Sequence, residues 1–283
     1  MKRLVDSFNE YFEVVHADSD ALRELVFRLR YQVYCVETKF EDASTFPDEL
    51  ERDAYDVHAD HTLLIHRATG WIAGTVRLAL VNGQDVNAPF PAEVDYPGLF
   101  SLEQVSGYTF DRANTAEVSR FAVSKEFRKR HAEYLSPTGT SPDPDYDRRR
   151  TRRENDDQLD KPDLGGRRSV DDERKVVPHI TLGLIQGLVN MSVANNVDYW
   201  CAAMEPTLLR LLARVGIRFH HIGPLIDFHG KRQPCIVSLE QLLDKVYETR
   251  DDVWEVLTNR GAIYPRYHVQ ESPLIGARAL KNA

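Results

Sequence analysis

The sequence predicts an α/β fold with a mixed central sheet flanked by helices. Three observations carry this expectation. Short apolar runs of strand character alternate with stretches whose apolar residues repeat at helical spacing. The early strands are joined by a tight turn, which makes neighbours antiparallel, whereas a later strand–helix–strand series needs a parallel crossover. One segment, 136–175, departs in composition from everything around it.

Taken in order, FEVVHA (12–17) reads as a strand, and Asp18, Ser19 and Asp20 offer helix N-caps. Leu22, Leu25, Val26, Leu29 and Val33 then form one apolar helical stripe. HTLLIHR (61–67) and WIAGTVRLALV (71–81) read as strands joined through Ala68, Thr69 and Gly70. TAEVSRFAVS (115–124) is the next strand. Pro178 suits the first turn of a helix running to Asn195 or Asn196, apolar nearly all round and therefore buried. YWCAAM (199–204) reads as a strand, LLRLLARV (208–215) as a helix ended by Gly216, IRFHHIG (217–223) and PCIVSL (234–239) as strands, and 240–259 as a last helix.

Segment 136–175 holds 10 basic and 11 acidic side chains, four prolines and three glycines, and few large apolar residues. Such a stretch lacks the apolar surface to fold alone. It predicts a disordered insertion within a single domain spanning 1–283. RRRTRR (148–153) followed by ENDDQLD (154–160) is either self-neutralising or a docking patch for an acidic partner.

Composition excludes several classes. The chain has 283 residues, is 42% hydrophobic and carries a formal charge of −8, enough apolar material for a core and too acidic for a general nucleic-acid binder. No apolar stretch of about 18 residues predicts a membrane span, and MKRLVDSFNEYFEVV has no signal-peptide core. Cys35, Cys201 and Cys235 are odd in number and form no CxxC, so neither a disulfide framework nor a metal centre is expected. Cys201 reads as a small core residue, and Cys35 has no histidine base in sequence reach. Reduced thiols suit a cytoplasmic protein.

The chemistry-bearing residues form an ordered series. Arg30 and Tyr34 lie on the first helix, followed by Phe40. Glu51, Asp53 and Asp56 form a carboxylate cluster, Arg77 sits on a strand, Phe90 follows, and Glu117-Val-Ser119-Arg120-Phe121 lies on the next strand. This series resembles the acyl-homoserine-lactone (autoinducer) synthases of the GNAT superfamily. The opening FEVV…LRYQVYC, the VSRFAVS strand and the loop GPLIDFHGKR (223–232) resemble their sister family, the N-acyl amino acid synthases, and more narrowly the acyltransferases associated with PEP-CTERM/exosortase systems.

The resemblance implies a GNAT-like acyl-CoA N-acyltransferase fold. It implies transfer of a long fatty acyl chain from acyl carrier protein to an amino acid amine, with acyl-phosphopantetheine as donor and no resident cofactor. A homoserine-lactone synthase using S-adenosylmethionine is the rival of the same class, and a non-catalytic lipid-binding protein the rival of another. Ordinary GNAT enzymes carry a Gly-rich turn after this strand that holds the coenzyme A pyrophosphate. Here KEFRKRH (125–131) follows instead. Lys125, Arg128, Lys129 and Arg130 are therefore either a basic rim for the acidic carrier protein or a solvated stretch.

Aminolysis of a thioester needs a base for the ammonium proton and preorganised donors for the oxyanion. Glu117 is the first candidate base; otherwise it is a strand glutamate paired with Arg120. The two have opposite parity, so only a bulge brings them together. Glu51, Asp53 and Asp56 either orient Arg30, Arg77 and Arg120 or bind the acceptor amine, and one of these arginines is a candidate for the acceptor carboxylate. Arg120, Glu51 and Asp53 join Glu117 in the expected catalytic set. Tyr34, Phe40, Phe90, Ser119 and Phe121 complete the expected substrate site, the aromatics as channel walls or as ordinary core. Gly183 and Gly187 open either an acyl tunnel or a close helix contact.

Overall fold

The computed structural model describes residues 3–83, 85–96, 111–128, 138, 179–227 and 230–265. Nearly all of the predicted insertion, Lys129, Arg130 and Pro178 lie outside the described residues.

The strands are β1 (Phe12–His16), β2 (Ala59–His66), β3 (Ile72–Ala79), β4 (Thr115–Val123), β5 (Tyr199–Met204), β6 (His220–His221), β7 (Ile226–Asp227) and β8 (Lys231–Ser238). Among the described residues they form one sheet in the order β1-β2-β3-β4-β5-β8-β6, with β7 also on β8. β1 to β4 are antiparallel, β4 and β5 are parallel, and β5, β8 and β6 are antiparallel again. The sheet is mixed, as the connection pattern predicts.

The helices are α1 (Leu4–Tyr11), α2 (Asp20–Tyr31), α3 (Pro91–Asp95), α4 (His179–Ala194), α5 (Pro206–Arg214), α6 (Leu239–Thr249) and α7 (Asp251–Leu257). Ser19 caps α2, its side chain accepting from the Leu22 amide. α2 runs into a π-helical turn, Gln32–Glu37, which buries Val33, Tyr34 and Cys35 together. α4 forms the crossover between β4 and β5 and is buried on nearly every side, as its apolar composition requires. Its glycines serve close packing: a Cβ at Gly183 would lie 2.6 Å from Leu64, and one at Gly187 would overlap Thr62. The tunnel reading of these glycines therefore gives way to helix–sheet contact.

Three expectations need correction. The strand over 217–223 is only His220–His221, because the outer edge of β8 is shared between β7 and β6. The single helix over 240–259 breaks at Arg250 (φ −150°, ψ 70°), which lets Val253, Val256 and Leu257 turn into the core. α1, unpredicted, buries Val5 and Phe8 and is tied to the last helical region by Arg3–Glu255 (2.9 Å) and Arg260–Asp6.

The main core lies on the α4 side and includes Val76, Leu78, Val118, Leu184, Leu188, Trp200 and Val237. The buried Trp200 indole N–H donates to Ser192 Oγ at 2.7 Å. Smaller clusters stand apart from it, one of them joining Ala17 and Val26 to Leu63, and two others bear on the site. One joins Leu29, Val33 and Tyr34 to Ala122, the other Phe90, Ala92 and Tyr96 to Cys201, Ile226 and Ile236. Burial raises the Cys201 thiol well above its ordinary pKa, consistent with a core role.

Gly187→Val forces a branched side chain into Thr62. It should lower stability by at least about 1–3 kcal/mol, read by urea denaturation, whereas a packing-free site would gain helix propensity.

Candidate active site

β4 determines the site. Arg77 opposes Ser119 and Thr75 opposes Ala122, so Arg120 and Phe121 together oppose Val76. The strand therefore bulges between Glu117 and Phe121, although not so as to pair Glu117 with Arg120. Arg120 adopts φ 50°, a left-handed conformation costing a branched or bulky residue roughly 1–3 kcal/mol. Its side chain supplies the restraint. Arg120 Nε donates to Glu51 at 3.0 Å, Nη2 reaches Asp53 at 3.2 Å and Glu41 at 3.5 Å, and the guanidinium lies over the Tyr34 ring at 5.6 Å. Glu117 is not its partner; that carboxylate accepts from the Ala92 amide at 2.8 Å.

Behind Arg120 the network closes. Arg30 is fully buried, with Nε on Glu51 and its two Nη groups on Asp56 at 2.7 and 3.1 Å. Arg77, also fully buried, reaches Asp53 at 2.6 Å, Asp56 at 3.1 Å and Ser119 Oγ at 3.0 Å. Asp53 and Asp56 form a capping box on the 3-10 turn Ala54–His58, so the same carboxylates shape their loop and bind arginine. Three guanidinium groups thus meet four carboxylates, Glu41, Glu51, Asp53 and Asp56.

The titration behaviour follows. Burial alone would raise Asp56 and Glu51, but Arg30, with Arg77 or Arg120, outweighs it and holds both below the ordinary range. Burial would lower Arg30 and Arg120, and Glu51 with its neighbouring acids raises both instead. His61 Nε2 is 3.5 Å from Asp56 Oδ1, yet burial and the nearby Arg30 push its pKa down to about 3. Its imidazole is neutral at pH 7, so this contact is not an ion pair. Each arginine named as a candidate for the acceptor carboxylate is already held by two or more carboxylates of the chain.

In front of the network lies a cavity of about 140 Å³. Its origin is the register of β4 and β5, which pair only over Thr115–Glu117 and Tyr199–Cys201 and part beyond them. Glu117, Ser119, Arg120 and Phe121 line one side, Ala203, Met204, Glu205 and Leu208 the other. Tyr34, Phe40 and Arg77 also line it, with Pro91, Ala92, Asp95, Tyr96 and Arg232. Glu117 is 3% exposed. Burial raises its pKa to about 7, against the opposing pull of the Ala92 N–H and Arg77. Burial therefore raises Glu117, whereas Glu51 and Asp56 in the network behind it are held low by arginine.

Of the expected residues, Tyr34, Phe40, Arg77, Glu117, Ser119, Arg120 and Phe121 share the cavity. Arg30, Glu51, Asp53 and Asp56 stand behind it as its support. Phe90 is not in the wall: it is 2% exposed, packed in the core under Arg112 at 4.8 Å. Lys125 is exposed, but Arg128 is 3% exposed, its Nε donating to the Val123 carbonyl at 2.9 Å and Nη1 lying 3.1 Å from Glu37. Arg128 therefore leaves the expected basic rim and joins the framework. Asp95, Tyr96, Glu205 and Arg232 were missed; only Arg232 lay in a quoted motif.

Asp56→Asn leaves Arg30 and Arg77 short of a carboxylate and should cost roughly 3–5 kcal/mol at pH 7. The sign is set by the depressed pKa. The Asp56 contribution is complete above its ordinary value of 3.8 and is lost as pH falls below it, so the gap between wild type and variant should narrow there in urea titrations.

Residues 29–136 match the family model described as the acetyltransferase (GNAT) domain. Comparison with curated proteins finds no match. Among solved structures, the chain is similar to the AHL synthase LasI, at 17% identity, covering 80% of this chain and 88% of that one with a TM-score of 0.47. It is similar to FeeM, an N-acyl amino acid synthase from uncultured soil microbes, at 14% identity, 83% and 94% coverage and a TM-score of 0.45. It is also similar to BjaI, a CoA-dependent acyl-homoserine lactone synthase, at 18% identity, 84% and 88% coverage and a TM-score of 0.49. The mixed sheet flanked by helices, with the family match over 29–136, is a GNAT-like fold.

Proposed function

We propose that this protein is an N-acyltransferase that moves a long-chain fatty acyl group from an acyl carrier protein thioester to the amine of an amino acid. One observation carries the chemical part: a buried carboxylate, Glu117, lines the cavity with its pKa raised to about 7. A base of that strength is half-ionised near neutral pH and suits proton removal from an ammonium group. The GNAT family match supports acyl transfer as the reaction class. The carrier-protein donor, the amino acid acceptor, the cytoplasmic location and the link to PEP-CTERM/exosortase systems rest on the sequence resemblance.

In the proposed reaction, Glu117 takes a proton from the acceptor ammonium, directly or through water. The free amine attacks the thioester carbonyl, and the oxyanion meets a backbone N–H at the Arg120–Phe121 bulge, where one residue stands outside the ladder. The C–N bond forms, the C–S bond breaks, and the pantetheine sulfur leaves as a thiol with the proton relayed from the attacking nitrogen. No covalent enzyme intermediate is needed. Burial raises the Cys35 thiol to about 11, which argues against a thiolate route.

Purified protein incubated with acyl carrier thioester and a panel of amino acids should release thiol and form N-acyl amino acids detectable by mass spectrometry. Glu117→Gln should lower kcat by about 10²–10⁴-fold. The rise of wild-type kcat/KM through about pH 7 should vanish in the variant. A lactone formed from S-adenosylmethionine with no acyl amino acid would overturn the acceptor assignment; unchanged kcat in Glu117→Gln would overturn the base.

A further inference from the structure

Tyr34 carries a group that neither a channel wall nor a core aromatic requires. Either role needs only the ring, and a buried hydroxyl costs free energy unless it finds a partner. The π-helical turn Gln32–Glu37 brings Tyr34 inward to 8% exposure, in the cavity wall with Phe40, Arg120 and Phe121. Its backbone is pinned there, because the Tyr34 carbonyl accepts from the Phe40 and Glu41 amides at 2.8 and 3.1 Å.

The side chain meets both residues of the bulge. The Arg120 guanidinium lies over its ring at 5.6 Å, and its hydroxyl donates to the Phe121 carbonyl at 3.2 Å. Carboxylates hold the first bulge residue, Arg120, and the Tyr34 bond restrains the second. Among the described residues β4 and β5 no longer pair at Phe121, so no β5 ladder bond fixes this stretch. A carbonyl oxygen at the cavity wall is also an electron-rich neighbour for a developing oxyanion, and donation from a hydroxyl draws off that charge. Burial pushes the Tyr34 pKa up to about 12, against the pull of Arg120, so the hydroxyl keeps its proton at neutral pH.

We propose that Tyr34 is a positioning residue for acyl transfer, its hydroxyl holding the Phe121 carbonyl so that the bulge presents a backbone N–H to the thioester oxygen, an inference that rests on the aminolysis reading and deepens it. Tyr34 makes no bond to substrate and exchanges no proton; it acts through the bulge. Phenylalanine in its place keeps the ring under Arg120 and the packing with Leu29, Val33 and Ala122, and removes the hydroxyl alone. The loss therefore falls on the transition state and spares ground-state binding.

The test compares wild type with Y34F in the full chain. Y34F should lower kcat for acyl transfer about 10–100-fold, with KM for either substrate within about twofold. The rise of kcat/KM through about pH 7 should remain, since Glu117 is untouched. A second readout needs no turnover. N-Dodecanoylglycine, isotopically labelled at its acyl carbonyl, should bind both proteins within about threefold by calorimetry. Its carbonyl stretch in difference infrared spectra should lie at higher frequency in Y34F than in wild type, because a misplaced N–H polarises the carbonyl less. An unchanged kcat or an unchanged carbonyl band overturns the proposal, as does failure of wild type to bind the probe. A displaced pH profile overturns it too, since that would make Tyr34 an acid–base group. So does equal loss of kcat and probe binding, the mark of a merely structural role. Equal turnover in the two proteins sinks the positioning alone, and a Tyr34-dependent carbonyl band without turnover in wild type sinks the reaction alone.

Discussion

The ion network of Arg30, Arg77 and Arg120 with Glu41, Glu51, Asp53 and Asp56 is the constraint on which the rest of the site depends. It fastens α2, the loop containing residues 41–58, β3 and β4 to one another. Removing two fully buried guanidinium groups from water is expensive, and only short, multiple contacts to carboxylates offset it. An apolar replacement of equal volume would give a cheaper core. What the charged version adds is geometry: each arginine fork donates to its carboxylate partners in few orientations, so the four elements meet in one arrangement. The left-handed Arg120 is part of this. Its backbone strain is held by three carboxylate contacts and a tyrosine ring.

From that bulge the cavity follows. Upstream of it, Glu117 lies where β4 still pairs with β5; downstream, the two strands separate and leave space between the small clusters around Tyr34 and Tyr96. Burial then acts oppositely on two kinds of carboxylate. Glu51 and Asp56 face guanidinium groups and stay ionised, whereas Glu117 faces a single backbone N–H with arginine charge farther off, and its pKa rises. Environments that push carboxylate pKa values apart assign structural and acid–base roles to residues of the same type.

Much of the site was legible in linear order. Arg30, Arg77, Arg120 and the three carboxylates at 51, 53 and 56 stand out because so many ionisable residues near apolar strands must pair when buried. The opposite parity of Glu117 and Arg120 required an irregular strand only if the two were to meet, and they do not. Other features had no local signal. Arg128 sits in a basic run yet is drawn inward by Glu37 and the Val123 carbonyl. Phe90 has the spacing of a channel aromatic, but its neighbours from β5, β7 and β8 seal it in. α1 was hidden because it joins β1 without a breaker.

Periodicity and charge are properties of neighbouring residues, so most of the strand–helix order, the buried character of α4 and the ionic series could be read from the sequence alone, though not α1 or the break at Arg250. Only the tertiary structure decided which acid meets which base, that the arginines are occupied, and that β4 and β5 part after Glu117. Those outcomes depend on register, burial and contacts between residues more than 50 positions apart, as in Arg120 with Glu51 and Asp53. Desolvation, which sets the roles of Glu117 and Asp56 apart, exists only once the sheet is closed around them.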